Sequence, residues 1–363
     1  MSTLRSVLIA GLLAVTVQYV IRHYFYMQYD KYDVMYRHAP GPCVSLEGAD
    51  GGSEDLTILP SGLALISSGI YPNKQGRILL LDMNESSPTV TEAQIRGTGL
   101  DMATFNPHGL STWINPNTGE ITLMVINHVP GEERVEVFRY QCDSKSLVHL
   151  KSITSSLWGK YFTFRKPLLR KIEHDLMLPL GEVMFYDGVS ARSVAKGLLI
   201  PNGINKSPDG RFLYVANSGT SQVKSYEILD NNDIKFMENI FLDTTLDNIE
   251  VDRQSGDLWI GCHPRYHQII KHDAQYGGTI TPSQKTEAIT LPAKEQQSLP
   301  SLAEKSQILK LATSGGRFTD VVEVYLDPGT KMTGSTAASI YKGRMLGGTL
   351  ATQLMLCDVI YTD

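Results

Sequence analysis

Three stretches of the sequence concentrate carboxylate and amide oxygens. They are Glu54-Asp55, Asn202 and Asp247-Asn248. Such oxygens suit Ca²⁺, which accepts roughly six to eight oxygen ligands in flexible geometry, whereas zinc favours His and Cys. Asn and Asp are also common in turns, and adjacent carboxylates are compatible with a solvated turn. A cation site therefore requires that these stretches converge in the fold.

Histidines form the second candidate set. His108 lies in an Asn-Pro-His-Gly-Leu segment, and His128 and His263 each end an apolar run. A single histidine at such a position is usually a hydrogen-bonded structural residue. Two histidines at the mouth of a metal channel would instead supply a general base with a pKa near the working pH. The sequence has no Gly-x-Ser-x-Gly motif, P-loop or EF-hand loop, so the corresponding chemistries lack their signatures.

The elements that must position these groups follow one recurrent design. A polar turn containing Gly precedes a short apolar run, which is typical of β-hairpins. The turns are at residues 61–62, 117–119, 208–210, 255–257 and 341–343, and the runs at 63–66, 121–126, 212–216, 258–261 and 345–350. This recurrence indicates a radial repeat, and a β-propeller brings strand ends from distant segments to one central channel. A β-sandwich would explain the strands but not the repeated unit.

Two segments fall outside the repeat. The apolar run at residues 7–21 has 15 residues, which span roughly 22 Å as a helix and are short of the ~30 Å hydrocarbon core. We predict a hydrophobic leader at residues 1–24, either a signal peptide or, preferably, an uncleaved anchor, followed by one domain at 25–363. Residues 164–180 predict a short amphipathic helix with a basic start, packed on the propeller or lying on a membrane or lipoprotein surface.

Composition and cysteine usage narrow the class of protein. The chain has 363 residues, 42% hydrophobic and 20% charged, with a net charge of -5, which excludes a disordered or polytopic membrane protein and disfavours a nucleic-acid partner. No CxxC pair occurs among the cysteines. Cys43 and Cys357 stand at opposite ends of the predicted domain, where a disulfide could tie its termini in an oxidising compartment; four free thiols are the alternative. Sequons at Asn84 and Asn205 are compatible with a lumenal location.

The segments that carry these residues resemble the paraoxonase/arylesterase family. The matching segments are Glu54-Asp55, Pro107-His108-Gly109-Leu110, Asn127-His128, residues 202–210, Asp247-Asn248, residues 256–264 and residues 334–343. They occur in the same order over almost the whole chain. The resemblance implies an all-β fold, a six-bladed β-propeller with two Ca²⁺ in its central tunnel. It also implies hydrolysis of lactones and aryl esters, with organophosphate triesters as a side activity.

The resemblance further implies roles for individual residues. The ligands of the catalytic Ca²⁺ would be Glu54, Asn202, Asp247 and Asn248, and those of the structural Ca²⁺ would include Asp55 and the carbonyl oxygen of Leu110. His108 would accept a proton from water, with His128 behind it as its partner. Cys43 and Cys357 would form the disulfide that closes the propeller, and Cys262 would be an unpaired thiol beside His263. Family members often keep their hydrophobic leader, which supports an anchor.

One segment departs from the family's pattern. The family has a further strand after residues 147–151, leading to an Asn-Asp pair ahead of a His-Tyr-Phe triplet, and that pair supplies one ligand to each Ca²⁺. If Tyr161-Phe162 matches the end of the triplet, Trp158 and Gly159 take the ligand positions, with roughly twenty residues missing, several strands' worth of chain. We expect one blade to be shortened near residues 152–163 and each Ca²⁺ site to lose a ligand.

The sequence therefore predicts a calcium-dependent lactonase and arylesterase. Its partners would be lipophilic lactone or ester substrates and a membrane or lipoprotein surface, without nucleic acid. It would enter the secretory pathway and be membrane-anchored, in the endoplasmic reticulum or at the cell surface, or extracellular. The alternatives are a non-catalytic binding propeller with impaired calcium sites and a strictosidine-synthase-like propeller hydrolase. The paired acidic residues and two histidines argue against the latter.

Overall fold

A computed structural model describes residues 2–30, 36–69, 75–129, 132–155, 176–265, 267, 304–350 and 354–360. Within these ranges one α-helix, α1 (Ser2–Tyr26), precedes the β-strands, and a 3-10 turn lies at Ser218–Thr220. The strands are β1 (Cys43–Leu46), β2 (Leu56–Ile58), β3 (Leu63–Ser68), β4 (Arg77–Asp82), β5 (Thr91–Glu92), β6 (Gln94–Arg96), β7 (Pro107–Ile114), β8 (Ile121–Val129), β9 (Glu132–Gln141), β10 (Ser146–Ile153), β11 (Gly181–Tyr186), β12 (Ala191–Leu198), β13 (Pro201–Lys206), β14 (Phe212–Asn217), β15 (Gln222–Ile228), β16 (Ile234–Phe241), β17 (Thr245–Val251), β18 (Leu258–His263), β19 (Ser306–Ser314), β20 (Arg317–Asp327), β21 (Ser335–Tyr341), β22 (Arg344–Thr349) and β23 (Leu354–Asp358).

The described strands form six sheets, which follow one another along the chain. In chain order they are β2–β5, β6–β10, β11–β12, β13–β16, β17–β20, and β21–β23 with β1. Neighbouring strands are antiparallel, apart from the parallel pair of β6 with β10. Five of these sheets have four or five strands, and β11–β12 has two. Consecutive antiparallel sheets of this kind are the blades of a propeller.

One edge strand of each full blade contacts an edge strand of a neighbouring blade, and we call these five edge strands the inner strands. β2 contacts β7 and β21, β21 contacts β17, and β17 contacts β13. The inner strands therefore form an arc in the order β7, β2, β21, β17, β13. Every residue of β2 and β17 is buried, whereas β7 and β13, at the two ends of the arc, carry exposed residues.

The fold confirms the predicted all-β propeller with an N-terminal apolar helix, but not the predicted number of complete blades. Five complete blades are present in the described part of the chain. In chain order the two-stranded sheet β11–β12 lies between the β6–β10 and β13–β16 blades. The segment in which we expected the shortened blade lies largely outside the described residues, which omit 156–175.

The five predicted hairpins are all present. The apolar runs that follow the five polar turns are β3, β8, β14, β18 and β22. Counted outward from the inner strand, they are the second strands of the five complete blades. Each pairs with the inner strand of its own blade. The Gly-containing turns therefore set the connection between the strand that carries functional groups and the strand that supports it.

Hydrophobic cores lie between neighbouring blades. Leu56 and Ile66 of the β2–β5 blade pack with Leu346 of the β21–β23 blade. Further cores join β2–β5 to β6–β10, β13–β16 to β17–β20, and β17–β20 to β21–β23. In the two-stranded sheet, Val183 and Leu198 pack on the β13–β16 blade. Burial on both faces explains why second strands such as β18 are continuous runs of buried residues.

The N-terminal segment closes the last blade. Cys43 of β1 is paired in register with Cys357 of β23, and the two form a disulfide. This confirms the bridge proposed from the sequence and excludes the alternative of four free thiols. Cys142 and Cys262 are free, the first exposed and the second buried. A disulfide is typical of proteins that fold in the secretory pathway.

Helix α1 is longer than the apolar run that predicted it. The apolar span Leu4–Tyr26 has a mean hydropathy of 1.9, and its most apolar 18-residue window has no buried residue. By length and composition the helix can cross a membrane. A signal sequence near the N-terminus meets the same criteria. Its last residue, Tyr26, and Met27 pack with Met177 and Leu199.

The predicted amphipathic helix at residues 164–180 is not confirmed where it can be tested. Residues 176–180 form a turn and irregular chain, and residues 164–175 lie outside the described part. Leu176 is 54% exposed. Periodic leucines alone were therefore a weak indication of helix at this end of the segment.

Candidate active site

Three of the inner strands contain a β-bulge at a corresponding position. In β7, β13 and β17 two residues stand opposite one residue of the neighbouring strand, which is a β-bulge. The bulged pairs are His108-Gly109, Asn202-Gly203 and Asp247-Asn248. Bulges re-aim side chains and are common beside functional sites. They occur here at the positions singled out from the sequence.

Gly203 lets two of these bulges approach each other. A Cβ atom at residue 203 would lie 2.4 Å from the amide nitrogen of Ile249 and 2.5 Å from the carbonyl oxygen of Asp247. Only glycine fits such a close approach of two backbones. The contact brings β13 against β17, and Asn202 Nδ2 donates to Asp247 Oδ1 at 2.5 Å.

Glu54 lies on the other side of β17 from Asn202. We call Glu54, Asn202, Asp247 and Asn248 the oxygen cluster. It is 1% exposed, and its backbone and side chain meet the bulge of β17. Asn248 Nδ2 donates to Glu54 O at 3.0 Å and to Glu54 Oε1 at 2.9 Å. Four predicted ligands of the catalytic ion thus converge in two hydrogen-bonded pairs, Glu54 with Asn248 and Asn202 with Asp247.

Asp55 is buried beside Glu54 and is held by backbone groups. Its Oδ1 accepts from the amide of Leu56 at 2.9 Å, and its Oδ2 accepts from the amide of Leu110 at 2.8 Å. The structure thus places Leu110 at Asp55, as the resemblance implies, but presents the N–H rather than the carbonyl oxygen. Burial, together with the nearby carboxylates of Glu54 and Glu250, raises the pKa of Asp55 well above its usual range.

The cluster has the chemistry of a hard-cation site. Several buried carboxylates share it, and Glu54 Oε2 is buried without a hydrogen-bond partner in the described residues. Asn202 and Asn248 turn amide N–H groups toward carboxylates, so a rotation of each amide would present its oxygen instead. No group of three or more His, Cys, Asp or Glu among the described residues is arranged as a metal site. The donors that the cluster itself offers are carboxylate and amide oxygens, which suit a hard cation.

A chain of four side chains leads away from this cluster. His108 Nε2 lies 3.0 Å from Glu54 Oε1, and His108 Nδ1 lies 2.8 Å from His128 Nε2. His128 Nδ1 is hydrogen-bonded in turn to Glu133. The two imidazole rings have centroids 4.7 Å apart. The structure thus brings the predicted histidine pair together and adds a carboxylate that the sequence analysis did not identify.

The carboxylates around His108 stabilise its protonated form. Burial favours the neutral ring, but Glu54 outweighs it with help from Asp247 and Asp55, and raises the pKa of His108 to about 9. In this arrangement His108 holds a proton at neutral pH. A ring that is protonated at both nitrogens has no lone pair with which to accept a further proton.

The contact between His108 and Glu54 makes the free energy of unfolding depend on pH when no cation is bound. The pKa of His108 rises from 6.5 when unfolded to about 9 when folded. Its contribution is therefore complete below pH 6.5 and is lost as the pH rises through about 9. We expect the difference in thermal midpoint between the wild type and His108→Gln, measured in chelator, to shrink over this range. A difference that is constant from pH 6 to pH 10 would contradict the assignment.

A buried network supports the segment that carries both histidines. Glu136 is fully buried and accepts from Asn127 Nδ2 at 2.9 Å, from Ser152 Oγ at 2.5 Å, and pairs with His149 Nε2 at 2.9 Å. Asn127 Oδ1 accepts from the amide of Asn106 at 2.8 Å. Because Asn127 precedes His128 and Asn106 lies two residues before His108, the network fixes the two backbones relative to each other.

His263 lies behind Asp247. Its Nε2 is 2.8 Å from Asp247 Oδ2, and its Nδ1 is 2.9 Å from Glu304 Oε1. Burial opposes its charge, but the two carboxylates outweigh burial and raise the pKa of His263 to about 10. The protonated form of His263 is therefore favoured, and its ring holds Asp247 in position. This is the role of a hydrogen-bonded structural histidine.

The two sequons occupy different surroundings. Asn84 is exposed, and its Nδ2 donates to Ser61 O at 2.7 Å. Asn205 Nδ2 donates to Ile249 O at 3.1 Å and to the buried Glu250 at 3.3 Å. A glycan is attached to this amide nitrogen, so glycosylation at Asn205 would displace hydrogen bonds to β17. Glycosylation at both positions stays a prediction.

Comparison with known proteins supports the class that the fold and site define, a propeller hydrolase. A sequence model of the family described as Arylesterase matches residues 38–283. Human serum paraoxonase/arylesterase 1 is 35% identical over 341 residues, covering 87% of this chain and 88% of that protein. Rabbit (Oryctolagus cuniculus) serum paraoxonase/lactonase 3 is 33% identical over 342 residues, with 88% and 89% covered. The X-ray structure of a protein assigned as a gluconolactonase has a TM-score of 0.50 at 13% identity, covering 90% of this chain and 98% of that one.

The chain belongs to the paraoxonase/arylesterase family and is a carboxylic-ester hydrolase. The resemblance stated from the sequence motifs is confirmed. The structural likeness supports the propeller fold alone.

Proposed function

We propose that the chain is a calcium-dependent lactonase and arylesterase, with organophosphate triesters as a side activity. The observation that carries the proposal is the convergence of Glu54, Asn202, Asp247 and Asn248 beside the His108–His128 pair. These four residues would hold a catalytic Ca²⁺, and Asp55 with Leu110 a structural one. When bound, Ca²⁺ polarises the ester carbonyl and stabilises the negative charge that develops on its oxygen.

The side chains of this chain perform the remaining steps. With Glu54 facing the cation, His108 Nε2 is free to accept a proton from water, and His128 shares the resulting charge through the contact at Nδ1. Asn202 and Asn248 would have to rotate their side-chain amides to present oxygens to the cation, since both now donate N–H groups to carboxylates. His263 keeps Asp247 in place from behind.

We further propose where the enzyme works. The disulfide favours the secretory pathway, and the apolar helix α1 is long enough to anchor the chain in the endoplasmic reticulum or cell-surface membrane, with a cleaved leader as the alternative. A membrane or lipoprotein surface would supply lipophilic lactones and esters. In the full propeller, β11–β12 would belong to a sixth, shortened blade that closes the arc around the calcium tunnel.

Hydrolysis of defined substrates tests the proposal. The purified chain, with phenyl acetate, a medium-chain lactone and a phosphotriester, is expected to hydrolyse the lactone and the aryl ester and to hydrolyse the phosphotriester slowly. Folding is verified by circular dichroism. A folded protein that turns over none of them contradicts the proposal and favours the non-catalytic binding propeller, whose supporting observation is that the described residues form only a two-stranded sheet, β11–β12, at this point of the chain.

A further inference from the structure

We propose that Glu133 is a positioning residue that sets the proton positions of the His108–His128 pair. The inference rests on the hydrolytic function proposed above and extends it to a residue outside the motifs shared with the family. Glu133 Oε2 is hydrogen-bonded to His128 Nδ1. His128 Nε2 lies 2.8 Å from His108 Nδ1, which makes Glu133 the outer end of a continuous chain of side chains.

The sheet fixes this contact. In the register of β8 with β9, His128 stands directly opposite Glu133, and such cross-strand neighbours have side chains on the same face. The side chains of both residues are 18% exposed. The adjacent Glu132 forms an ion pair with Arg134 at 2.6 Å instead. Two neighbouring glutamates thus have different partners, and one of them faces the histidine pair.

The chemistry of the acceptor dictates the protonation pattern. An ionised carboxylate only accepts, so the proton in the contact between Glu133 and His128 resides on Nδ1 of His128. Nε2 of a neutral His128 then accepts from Nδ1–H of His108. A neutral His108 consequently has its lone pair on Nε2, the nitrogen that faces Glu54 and the oxygen cluster. Glu133 therefore selects the ring form in which His108 can act as a base toward that cluster.

The same carboxylate stabilises the charge that forms during hydrolysis. A water O–H bond breaks as a proton bonds to Nε2 of His108, and the Nδ1 proton of His108 moves to Nε2 of His128. The water oxygen bonds to the ester carbonyl carbon, and the bond from that carbon to the alkoxide or phenoxide oxygen breaks. The leaving oxygen takes the proton back, so an aryl ester gives a carboxylic acid and a phenol, and a lactone gives one hydroxy acid. The positive charge rests on His128, beside Glu133, between these steps.

Variants at the two neighbouring glutamates test the inference. Glu133→Leu removes the acceptor, Glu133→Asp keeps a carboxylate, and Glu132→Gln is the matched control at the ion pair with Arg134. We expect kcat for phenyl acetate to fall about 10²-fold or more in Glu133→Leu with KM nearly unchanged, since substrate binding is not altered. Partial recovery is expected in Glu133→Asp, and wild-type kcat in Glu132→Gln.

Two readouts separate positioning from a merely structural role. The first is rescue, because Glu133→Asp restores a carboxylate beside Nδ1 of His128 and is expected to recover kcat only if the acceptor itself matters. The ¹⁵N-histidine NMR spectrum of the whole chain is expected to show an Nδ1–H proton on His128 in the wild type and its loss or shift in the variant, whether or not the protein is active. Equal kcat in Glu133→Leu and wild type, or an unchanged His128 spectrum, would overturn the inference. Absence of turnover in the wild type with the expected spectrum would instead refute the proposed function.

Discussion

Glu54→Gln is expected to reduce kcat for lactones and aryl esters by about 10²–10³-fold, the magnitude typical of losing one group that stabilises transition-state charge. Glu54 is buried at the junction of the oxygen cluster and the histidine pair, within 3.0 Å of both Asn248 and His108. Gln is nearly isosteric and can still accept from Asn248. The variant therefore removes the negative charge with little change in shape.

Calcium affinity should fall together with activity. In the proposed site both quantities would depend on the same carboxylate, whose second oxygen has no hydrogen-bond partner in the described residues. Calorimetric titration with Ca²⁺ measures the first, and initial rates at saturating Ca²⁺ measure the second. Glu47→Gln, at an exposed position, is the matched control and is expected to leave both unchanged. Wild-type affinity and rate in Glu54→Gln would remove Glu54 from the site.

Loss of the disulfide is expected to have the largest effect on stability. Cys43 and Cys357 are separated by 314 residues, and closing so long a loop lowers the conformational entropy of the unfolded chain, which destabilises it by about 5–6 kcal/mol in the chain-entropy model. β1 also depends on pairing with β23 for its place in the last blade. We expect Cys43→Ser with Cys357→Ser to lower the free energy of unfolding by about this amount.

Urea denaturation of the oxidised wild type and the double variant measures the difference. Cys142→Ser, at the exposed free thiol, is the control and is expected to lie within about 0.5 kcal/mol of the wild type. Equal midpoints for the double variant and the wild type would show that strand pairing alone holds the propeller closed.

Local turn chemistry explains why much of the fold was predictable. Gly62, Gly119, Gly210, Gly256 and Gly343 all have positive φ, a conformation that glycine adopts at low cost. Each stands directly before the second strand of a complete blade or within two residues of it. These turns can therefore be recognised from the sequence, and the five turns correspond to the five complete blades. The sixth was inferred from the resemblance, and the described residues contain only its two-stranded counterpart.

The site was less accessible to sequence reasoning because it depends on register. The motifs identified the residues of the oxygen cluster, but the bulges that aim His108, Asn202 and Asp247 follow from strand pairing. Glu133 follows from the same cause. Two adjacent glutamates look alike in sequence, and only the register of β8 with β9 shows which one faces His128. The alternation of side chains along β9 was the available signal.

Buried partners from distant segments were equally hidden. Glu136 lies nine residues after Asn127, and Glu304 lies 41 residues after His263. Nothing in their local sequence distinguishes them from surface glutamates. Their burial is a property of the packed blades, and each compensates a histidine or an amide that supports the site.

The most direct test of the account is the Ca²⁺ dependence of lactone hydrolysis. The purified full chain is stripped with chelator and assayed during titration with Ca²⁺, alongside Asn248→Ala. We predict no turnover without Ca²⁺, saturable recovery on titration, and a loss of activity in Asn248→Ala that excess Ca²⁺ does not fully restore. Full turnover in chelator, or a wild-type titration curve for Asn248→Ala, would contradict the proposal that these oxygens form a catalytic calcium site.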